Sequence, residues 1–458
     1  MMMLPPEFLE RIRTQSYLDA LSLEEALERP SGASVRINRQ KWPHPVSGYE
    51  RVEWEPDGFY LNDRPLFTVD PLFHAGVYYP QESSGMFTGE MFRQLTAGQK
   101  GLRVLDLCGA PGGKSTHLAS LAGDGGLLVA NEVIRSRAAV LAENITKWGT
   151  GNVMVTNADP SRFALLPGFF DVIVADAPCS GEGMFRSPVA VSEWSVQNTK
   201  LCSERQRRIV MEVWPSLKPG GILIYSTCTF NPAENEENVS WIRDNAGAES
   251  LSVTLPAGSP VTAVRYGAIE GYGFHPGRVR GEGFFIAALR KPEGKAEGQR
   301  ARDGKRSGSR PSPEAFRISE PLADFDRDRV TLQNGRIIAL AADTGICSYI
   351  EQRLPVIKTG TMIGEIKKNE LVPAHDLAMS VKRKKGAWPE YSLTHTGALA
   401  FLRLEPLDAS VMPRGRIILT HRGITLGFAN NLGNRVNNGY PQGWRIRMEP
   451  GTEFKEIL

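Results

Sequence analysis

Between Leu102 and Lys291 the chain carries short apolar runs separated by stretches long enough for a helix. Five of these runs, Arg103–Leu107, Gly126–Asn131, Asn152–Asn157, Asp171–Ala175 and Gly221–Ser226, mostly lack apolar–polar alternation. Strands with helices on both faces read this way, as in parallel sheets. Helical patterns fill the gaps over Lys114–Ala122, Ile134–Trp148 and Cys202–Ser216. The strand–helix order predicts a doubly wound α/β domain over residues 96–291, closed by a last strand at Gly283–Arg290. The pattern differs on either side. Residues 1–95 mix helix-like stretches, one opening at Pro5-Pro6-Glu7, with strands such as Ser34–Asn38, which predicts a small α+β domain. Lys291–Arg310 has no large apolar residue and cannot bury a core, so 292–316 reads as a flexible basic linker. Short strand-like runs with many turn residues then indicate a separate α+β module over 317–458.

Composition changes this picture little. The chain has 458 residues, 41% hydrophobic and 23% charged, as expected of a multidomain globular protein. No apolar run reaches the ~20 residues needed to cross a bilayer, and the N-terminus lacks a secretory signal pattern. Five cysteines with no CxxC pair fit free thiols in the cytoplasm better than disulfides or a zinc site. The net charge is only +3, but Ser380–Leu458 holds 12 Lys and Arg against 6 Asp and Glu. A basic terminal module is compatible with nucleic acid, although the run Lys382-Arg383-Lys384-Lys385 is equally an ordinary solvated face.

Candidate chemistry begins at Val104-Leu105-Asp106-Leu107-Cys108-Gly109-Ala110-Pro111-Gly112-Gly113-Lys114-Ser115, a strand, a glycine loop and a helix start. Lys114-Ser115 matches the end of a phosphate-binding P-loop, but that loop's first glycine would fall on Cys108, where a Cβ crowds the backbone. The other reading is the nucleotide turn of a Rossmann-like sheet, with the helix N-terminus receiving the carboxylate of an adenosylmethionine tail. That reading needs acidic groups on the following strand ends. Glu132, 26 residues beyond Asp106, suits ribose hydroxyls, and Asp159 suits an adenine amino group.

The next two strand ends carry cysteines: Asp176-Ala177-Pro178-Cys179 and Ser226-Thr227-Cys228. A single cysteine is ordinarily a small core residue. Two on adjacent carboxyl-end loops face the same crevice, one of them beside an aspartate. Methyl transfer to carbon-5 of cytosine uses such a set. A thiolate adds at carbon-6, an acid near N3 stabilises the adduct, and a further group assists release. The residues alone leave open which cysteine attacks.

Leu107–Lys114, Asp176–Arg186 and Tyr225–Thr229 together resemble the Nop/Sun family of RNA 5-methylcytosine methyltransferases, and within it the bacterial RsmF-type enzymes. The likeness extends through Tyr79–Ser84, Asn131-Glu132, Glu234-Asn235-Glu236 and Gly281–Phe285 to a PUA-like stretch at Gly439–Ile446. It implies a Rossmann-like S-adenosylmethionine-dependent core between an N-terminal RNA-binding domain and a C-terminal PUA-like RNA-binding module. It also implies Cys228 as the nucleophile, Cys179 as the group that assists adduct breakdown, and Asp176 at the cytosine. Cys108, Gly109, Ala110, Pro111, Gly112, Gly113, Lys114, Glu132, Asp159 and Asp176 would line the cofactor site, with no metal. The implied substrate is 16S ribosomal RNA near the decoding region, or the small subunit; the cysteine usage places the enzyme in the cytoplasm, and nothing in the sequence demands more than a monomer. Gly109 stands for the usual alanine, Ser83 for proline, and Ser187-Pro188 for Lys-Asp. The changes at 83 and 187 bear on the target base more than on the reaction.

Competing expectations are a P-loop nucleotide hydrolase, a cytosine-5 methyltransferase of tRNA or another RNA, a DNA cytosine methyltransferase and a silent RNA-binding protein. Asn231-Pro232-Ala233-Glu234 reads as a capped helix start just past Cys228. Glu182 and Arg186 are read as RNA-positioning or surface ion-pairing groups, and Cys202 and Cys347 as structural.

Overall fold

The computed structural model describes residues 4–294, 310–448 and 456–458, so most of the linker expected over 292–316 lies outside the described residues. The chain opens with α1 (Pro6–Thr14), which starts on a proline at its first position, and α2 (Ala20–Leu27), capped by Asp19. Strands β1 (Ser34–Ile37), β2 (Glu50–Val52) and β3 (Glu55–Tyr60) follow, then the single turn α3 (Pro71–His74) and β4 (Tyr78–Pro80). These four strands form an antiparallel sheet in the order β2-β3-β1-β4. Helix α4 (Phe87–Leu95) leads into the central domain.

That domain alternates as expected: β5 (Arg103–Asp106), α5 (Gly113–Ala122), β6 (Leu127–Asn131), α6 (Arg135–Trp148), β7 (Val153–Thr156) and β8 (Phe170–Asp176). It continues with α7 (Pro188–Glu193), α8 (Val196–Val213), β9 (Leu217–Thr227), α9 (Glu236–Ala246), β10 (Glu249–Leu251), β11 (Thr262–Tyr266), β12 (Ile269–Phe274) and β13 (Phe284–Arg290). Strands β7, β6, β5, β8 and β9 lie parallel in that order. Successive residues point to opposite faces and both faces are covered. Leu105, Val129 and Ile173 enter one apolar cluster, and Val104, Leu128 and Val172 enter the other. This double burial is why the runs show little alternation.

The last strand does not close the sheet. β13 runs antiparallel between β9 and β12, and the hairpin β11–β12 forms the edge beyond it. The Ile269–Phe274 run contains Gly271 and Gly273, which make room for Phe285 and His275, so it lacks the side chains that announce a strand.

The C-terminal region comprises α10 (Pro313–Ser319), β14 (Val330–Gln333), β15 (Arg336–Ala339), α11 (Thr344–Glu351), β16 (Val356–Thr359), β17 (Thr361–Lys367), β18 (Glu370–Pro373) and α12 (His375–Met379). After these come β19 (Glu390–Ser392), α13 (His395–Arg403), β20 (Gly415–His421), β21 (Ile424–Asn431) and β22 (Val436–Asn438). It forms two four-stranded sheets, β14-β15-β17-β18 and β19-β20-β21-β22. Strand β16 leaves this region to pair antiparallel with β7, extending the central sheet. Leu340, Cys347, Ile350 and Leu354 bury in the same cluster as Leu105 and Ile173. The two ends of the chain also share a core: Val35, Phe59 and Tyr78 pack with Phe401, Leu402 and Leu419.

The basic run at 382–385 is largely engaged within the chain. Lys382 pairs with Asp124 at 2.5 Å and Lys384 with Asp324 at 3.1 Å, while Arg383 donates to Thr425 at 2.9 Å. No helix among the described residues is long and apolar enough to cross a membrane.

Because β16 and its flanks complete the catalytic sheet, Leu354→Ala should lower the unfolding free energy of the central domain by about 2–5 kcal/mol. Urea unfolding followed by a probe in the central domain checks this. An unchanged midpoint would mean that the segment is only appended to the core.

Candidate active site

The carboxyl ends of β5, β6, β8 and β9 deliver the chemistry-bearing residues to one side of the sheet. After β5 the chain turns through Cys108–Gly112 into α5. Gly112 caps that helix with φ +123°, a conformation L side chains rarely adopt, and a Cβ there would lie 3.3 Å from Asn144. Arg137 donates to the Ala110 carbonyl at 2.9 Å and Asn144 to that of Pro111 at 2.8 Å, fixing the loop from α6. No side chain caps α5, so its first backbone N–H groups are open to an anion.

Asp106, which the sequence reading did not single out, is fully buried beneath the loop. Its Oδ2 accepts from Ser115 at 2.6 Å, and its Oδ1 has no hydrogen-bond partner among the described residues. Burial, aided by Asp176 and Glu132, pushes its carboxyl up to about 6 despite the Ser115 bond. An open acceptor beneath a glycine loop and an uncapped helix start fit the ammonium and carboxylate of an S-adenosylmethionine tail. Burial first, then Asp106, Asp176 and Glu132, also push the Cys108 thiol up, so it stays a neutral wall of the loop.

The acidic strand ends divide. Glu132 is buried after β6, where its Oε1 accepts the Ile134 N–H at 3.0 Å and its Oε2 lies 3.6 Å from Arg137. Asp159 stands apart. It is exposed and caps a 3₁₀ turn after β7, accepting from both the N–H and the hydroxyl of Ser161.

β8 and β9 are adjacent and parallel, with Asp176 in register with Ser226. The Ser226 hydroxyl donates to Asp176 Oδ1 at 2.7 Å, and Lys114 bonds Asp176 Oδ2 at 2.8 Å. The ammonium that resembled a phosphate clamp therefore serves the catalytic strand end. Burial opposes the Lys114 charge, but Asp176, Asp106 and Cys228 together push its pKa up, so it stays a cation.

Just beyond, Cys179 Sγ and Cys228 Sγ lie 3.0 Å apart, and the Cys228 N–H donates to Cys179 Sγ at 3.3 Å. Its hydrogen bond to Cys228, followed by burial, holds the Cys179 thiol well above the usual cysteine range. The two thiols are therefore within hydrogen-bond range of each other. The same Lys114 ammonium interacts with Cys228.

Two expectations change. Glu182 and Arg186 do ion-pair, but within the fold rather than at the surface, half-buried Arg186 pairing with Glu282 at 2.5 Å. Glu182 is buried against Arg11 of α1 at 2.6 Å, and Arg186 donates to the Ala26 and Arg29 carbonyls at the end of α2. The capped helix after Cys228 starts late, with Asn235 before Glu236. Asn231 instead closes a turn onto the Ala233 N–H, because Glu234 reaches across to the Cys179 loop rather than back to residue 231. Arg36 is a buried strut from β1 that donates to Gln81 and to Thr116 on α5.

Among the buried carboxyls of this region, burial raises Asp106 to about 6 and Glu234 to about 7. A raised carboxyl pKa means that the native state holds the proton more tightly than the unfolded chain. Their stabilising contribution is complete below about pH 4 and is lost as pH rises through 6 to 7. Unfolding midpoints measured across pH 5–8 should fall with rising pH. Glu234→Gln should remove a share on the order of 3 kcal/mol from that slope.

Three family models match the chain in order. They are the N-terminal domain of 16S rRNA methyltransferase RsmF over residues 4–83, 16S rRNA methyltransferase RsmB/F over 94–290, and the methyltransferase RsmF PUA domain over 389–446. The ribosomal RNA small subunit methyltransferase F of Enterobacter sp. (strain 638) is 31% identical, covering 96% of this chain and 95% of that protein. Among solved structures, a methyltransferase homologue from Pyrococcus horikoshii is 29% identical with a TM-score of 0.52, covering 63% of this chain and 100% of that one. NSun6 from Pyrococcus horikoshii, solved with SFG, shares the fold at 21% identity and a TM-score of 0.52, covering 63% and 97%. With a near-full-length relative above 30% identity and three matches in the order of the folded regions, the chain belongs to the RsmB/F family of S-adenosylmethionine-dependent 16S rRNA methyltransferases, as an RsmF-like member.

Proposed function

We propose that the enzyme methylates carbon-5 of a cytosine in 16S ribosomal RNA, in the decoding region, through a covalent bond between Cys228 and carbon-6 of the base. The observation that carries this reading is the pair of sulfurs 3.0 Å apart at the ends of β8 and β9, with Lys114 bound to Asp176 beside them. Asp106, the Gly109–Gly113 loop, Lys114, Glu132, Asp159 and Asp176 would hold S-adenosylmethionine, which supplies the electrophilic methyl group when bound. Asp159 is the outermost of these and would reach the adenine end.

The residues divide the work. Cys228, beside the Lys114 ammonium, gives its thiol proton to solvent, and its sulfur electron pair forms the bond to carbon-6 and leaves carbon-5 enamine-like. Asp176, held by Lys114 and Ser226, stabilises the proton at N3 of the adduct. Once carbon-5 carries the methyl group its proton passes to solvent, the C5–H electron pair restores the C5=C6 double bond, and the Cys228–carbon-6 bond breaks with its electron pair returning to sulfur. Cys179 donates its hydrogen bond to that departing sulfur. The base must leave any stack to reach Cys228, so the target is unpaired or flipped out. The N-terminal and PUA-like domains would grip the RNA or the small subunit, and the enzyme would work as a cytoplasmic monomer.

Labelled S-adenosylmethionine with 16S RNA or small subunits tests the assignment. Cys228→Ala should give neither transfer nor a covalent RNA adduct. Cys179→Ala should turn over some 10²–10⁴-fold more slowly and accumulate the adduct on denaturing gels. Full transfer by Cys228→Ala would overturn the reading.

A further inference from the structure

Two carboxylates lie buried between the cysteine loops and take no part in the steps above. Glu234 belongs to the turn after Cys228 but reaches the Cys179 loop. Its Oε2 accepts the Ser180 N–H and the Gln206 amide, both at 2.9 Å, and its Oε1 accepts the Ser180 hydroxyl at 2.5 Å. Glu182 belongs to the loop after Cys179 but reaches the other way. Its Oε2 accepts the Phe230 N–H at 3.3 Å, and its Oε1 accepts the Trp194 indole at 2.9 Å. Neither carboxylate is exposed.

The same two loops are joined by the Ser180 and Thr229 hydroxyls, 3.0 Å apart, and by the Gly183 N–H donating to the Cys228 carbonyl at 2.9 Å. Gly183 also packs so close to Gly283 that a Cβ would fall 2.4 Å from the Gly283 carbonyl oxygen, which prevents the loop from shifting aside. Burying two carboxylates costs more than filling the space with apolar side chains, unless their position matters.

We propose that Glu234 and Glu182 are positioning residues forming a reciprocal clasp, each rooted in one cysteine loop and holding a backbone N–H of the other, which sets the sulfur-to-sulfur distance and thereby the release of the methylated base. The proposal rests on the covalent reading of Cys228. Adduct formation needs only Cys228 and its neighbours, whereas release needs Cys179 held at hydrogen-bond range. The clasp therefore acts on the second step. Glutamine at 234 keeps one acceptor but turns an amide N–H toward donors at Ser180 or Gln206, which loosens the Cys179 loop without opening a cavity. Arg11 provides an independent handle. It is partly exposed on α1, touches neither cysteine, and pairs with Glu182 while donating to the Phe230 carbonyl at 3.2 Å.

The test follows single-turnover adduct formation, multiple turnover and cofactor binding in Glu234→Gln and Arg11→Met, with Cys179→Ala as the reference. Glu234→Gln should form the adduct at close to the wild-type rate yet turn over about 10²-fold more slowly, with RNA-linked protein accumulating. Arg11→Met should show the same split to a smaller degree, and Glu234→Asp should recover part of the turnover. Adduct formation, turnover and cofactor binding declining together would assign the carboxylates to stability alone and overturn the clasp, as would unchanged turnover in both variants. If Glu234→Gln does not fold, Arg11→Met decides by the same criteria. An adduct trapped in Cys179→Ala without any split in the clasp variants refutes only the clasp; absence of that adduct refutes the covalent reading itself.

Discussion

Adjacent parallel strands end side by side, and in this protein the ends of β8 and β9 each lead into a loop carrying a cysteine. The 3.0 Å separation of the two sulfurs depends on that adjacency, and much of the surrounding structure maintains it. From within the domain, Glu182 and Glu234 cross between the loops. From outside, α1 inserts Phe8 and Ile12 against Phe185 and Phe230, one aromatic ring from each cysteine loop. Gln15 then donates to the Phe230 carbonyl at 2.9 Å, and the Tyr17 hydroxyl to Glu236 at 2.6 Å. The N-terminal helices thus belong to the architecture of the catalytic loops, whatever share they take in gripping RNA.

The two cysteines have different surroundings. Its hydrogen-bond contact with Cys228, followed by burial, holds the Cys179 thiol well above the usual cysteine range. Cys228 has the Lys114 ammonium in its surroundings. Lys114 is in turn anchored by Asp176, the residue assigned to the base. One lysine therefore links the glycine loop to the end of β8, next to the cysteine loops.

The parallel strands were legible in sequence because burial on both faces forces apolar runs of limited length. The hairpin β11–β12 was not, because Gly271 and Gly273 replace the side chains that would have marked it. Strand β16 escaped notice because Val356–Thr359 is short and its partner β7 lies some 200 residues earlier. At the site, the glycine loop and the cysteines stood out by residue type. Asp106 did not, since an aspartate ending a strand looks the same whether its carboxylate is buried or solvated. Glu234 was misread because Asn-Pro-Ala-Glu satisfies the local rules for a helix start. Its tertiary hydrogen bonds to Ser180 and Gln206 override that local preference. That Cys179 and Cys228 meet at 3.0 Å depends on β8 and β9 being neighbours in the sheet, which spacing does not encode.

The central claim is that Cys228, and not Cys179, forms the bond to the base. It is tested most directly with a 16S RNA fragment carrying 5-fluorocytosine, whose carbon-5 cannot shed fluorine as a proton is shed, so the adduct persists. Incubation with the unaltered enzyme and S-adenosylmethionine, followed by protease and nuclease digestion and mass spectrometry, identifies the peptide bearing the nucleotide. The account predicts a nucleotide linked to the peptide containing Ser226-Thr227-Cys228-Thr229. Linkage to the peptide containing Pro178-Cys179-Ser180 would contradict it.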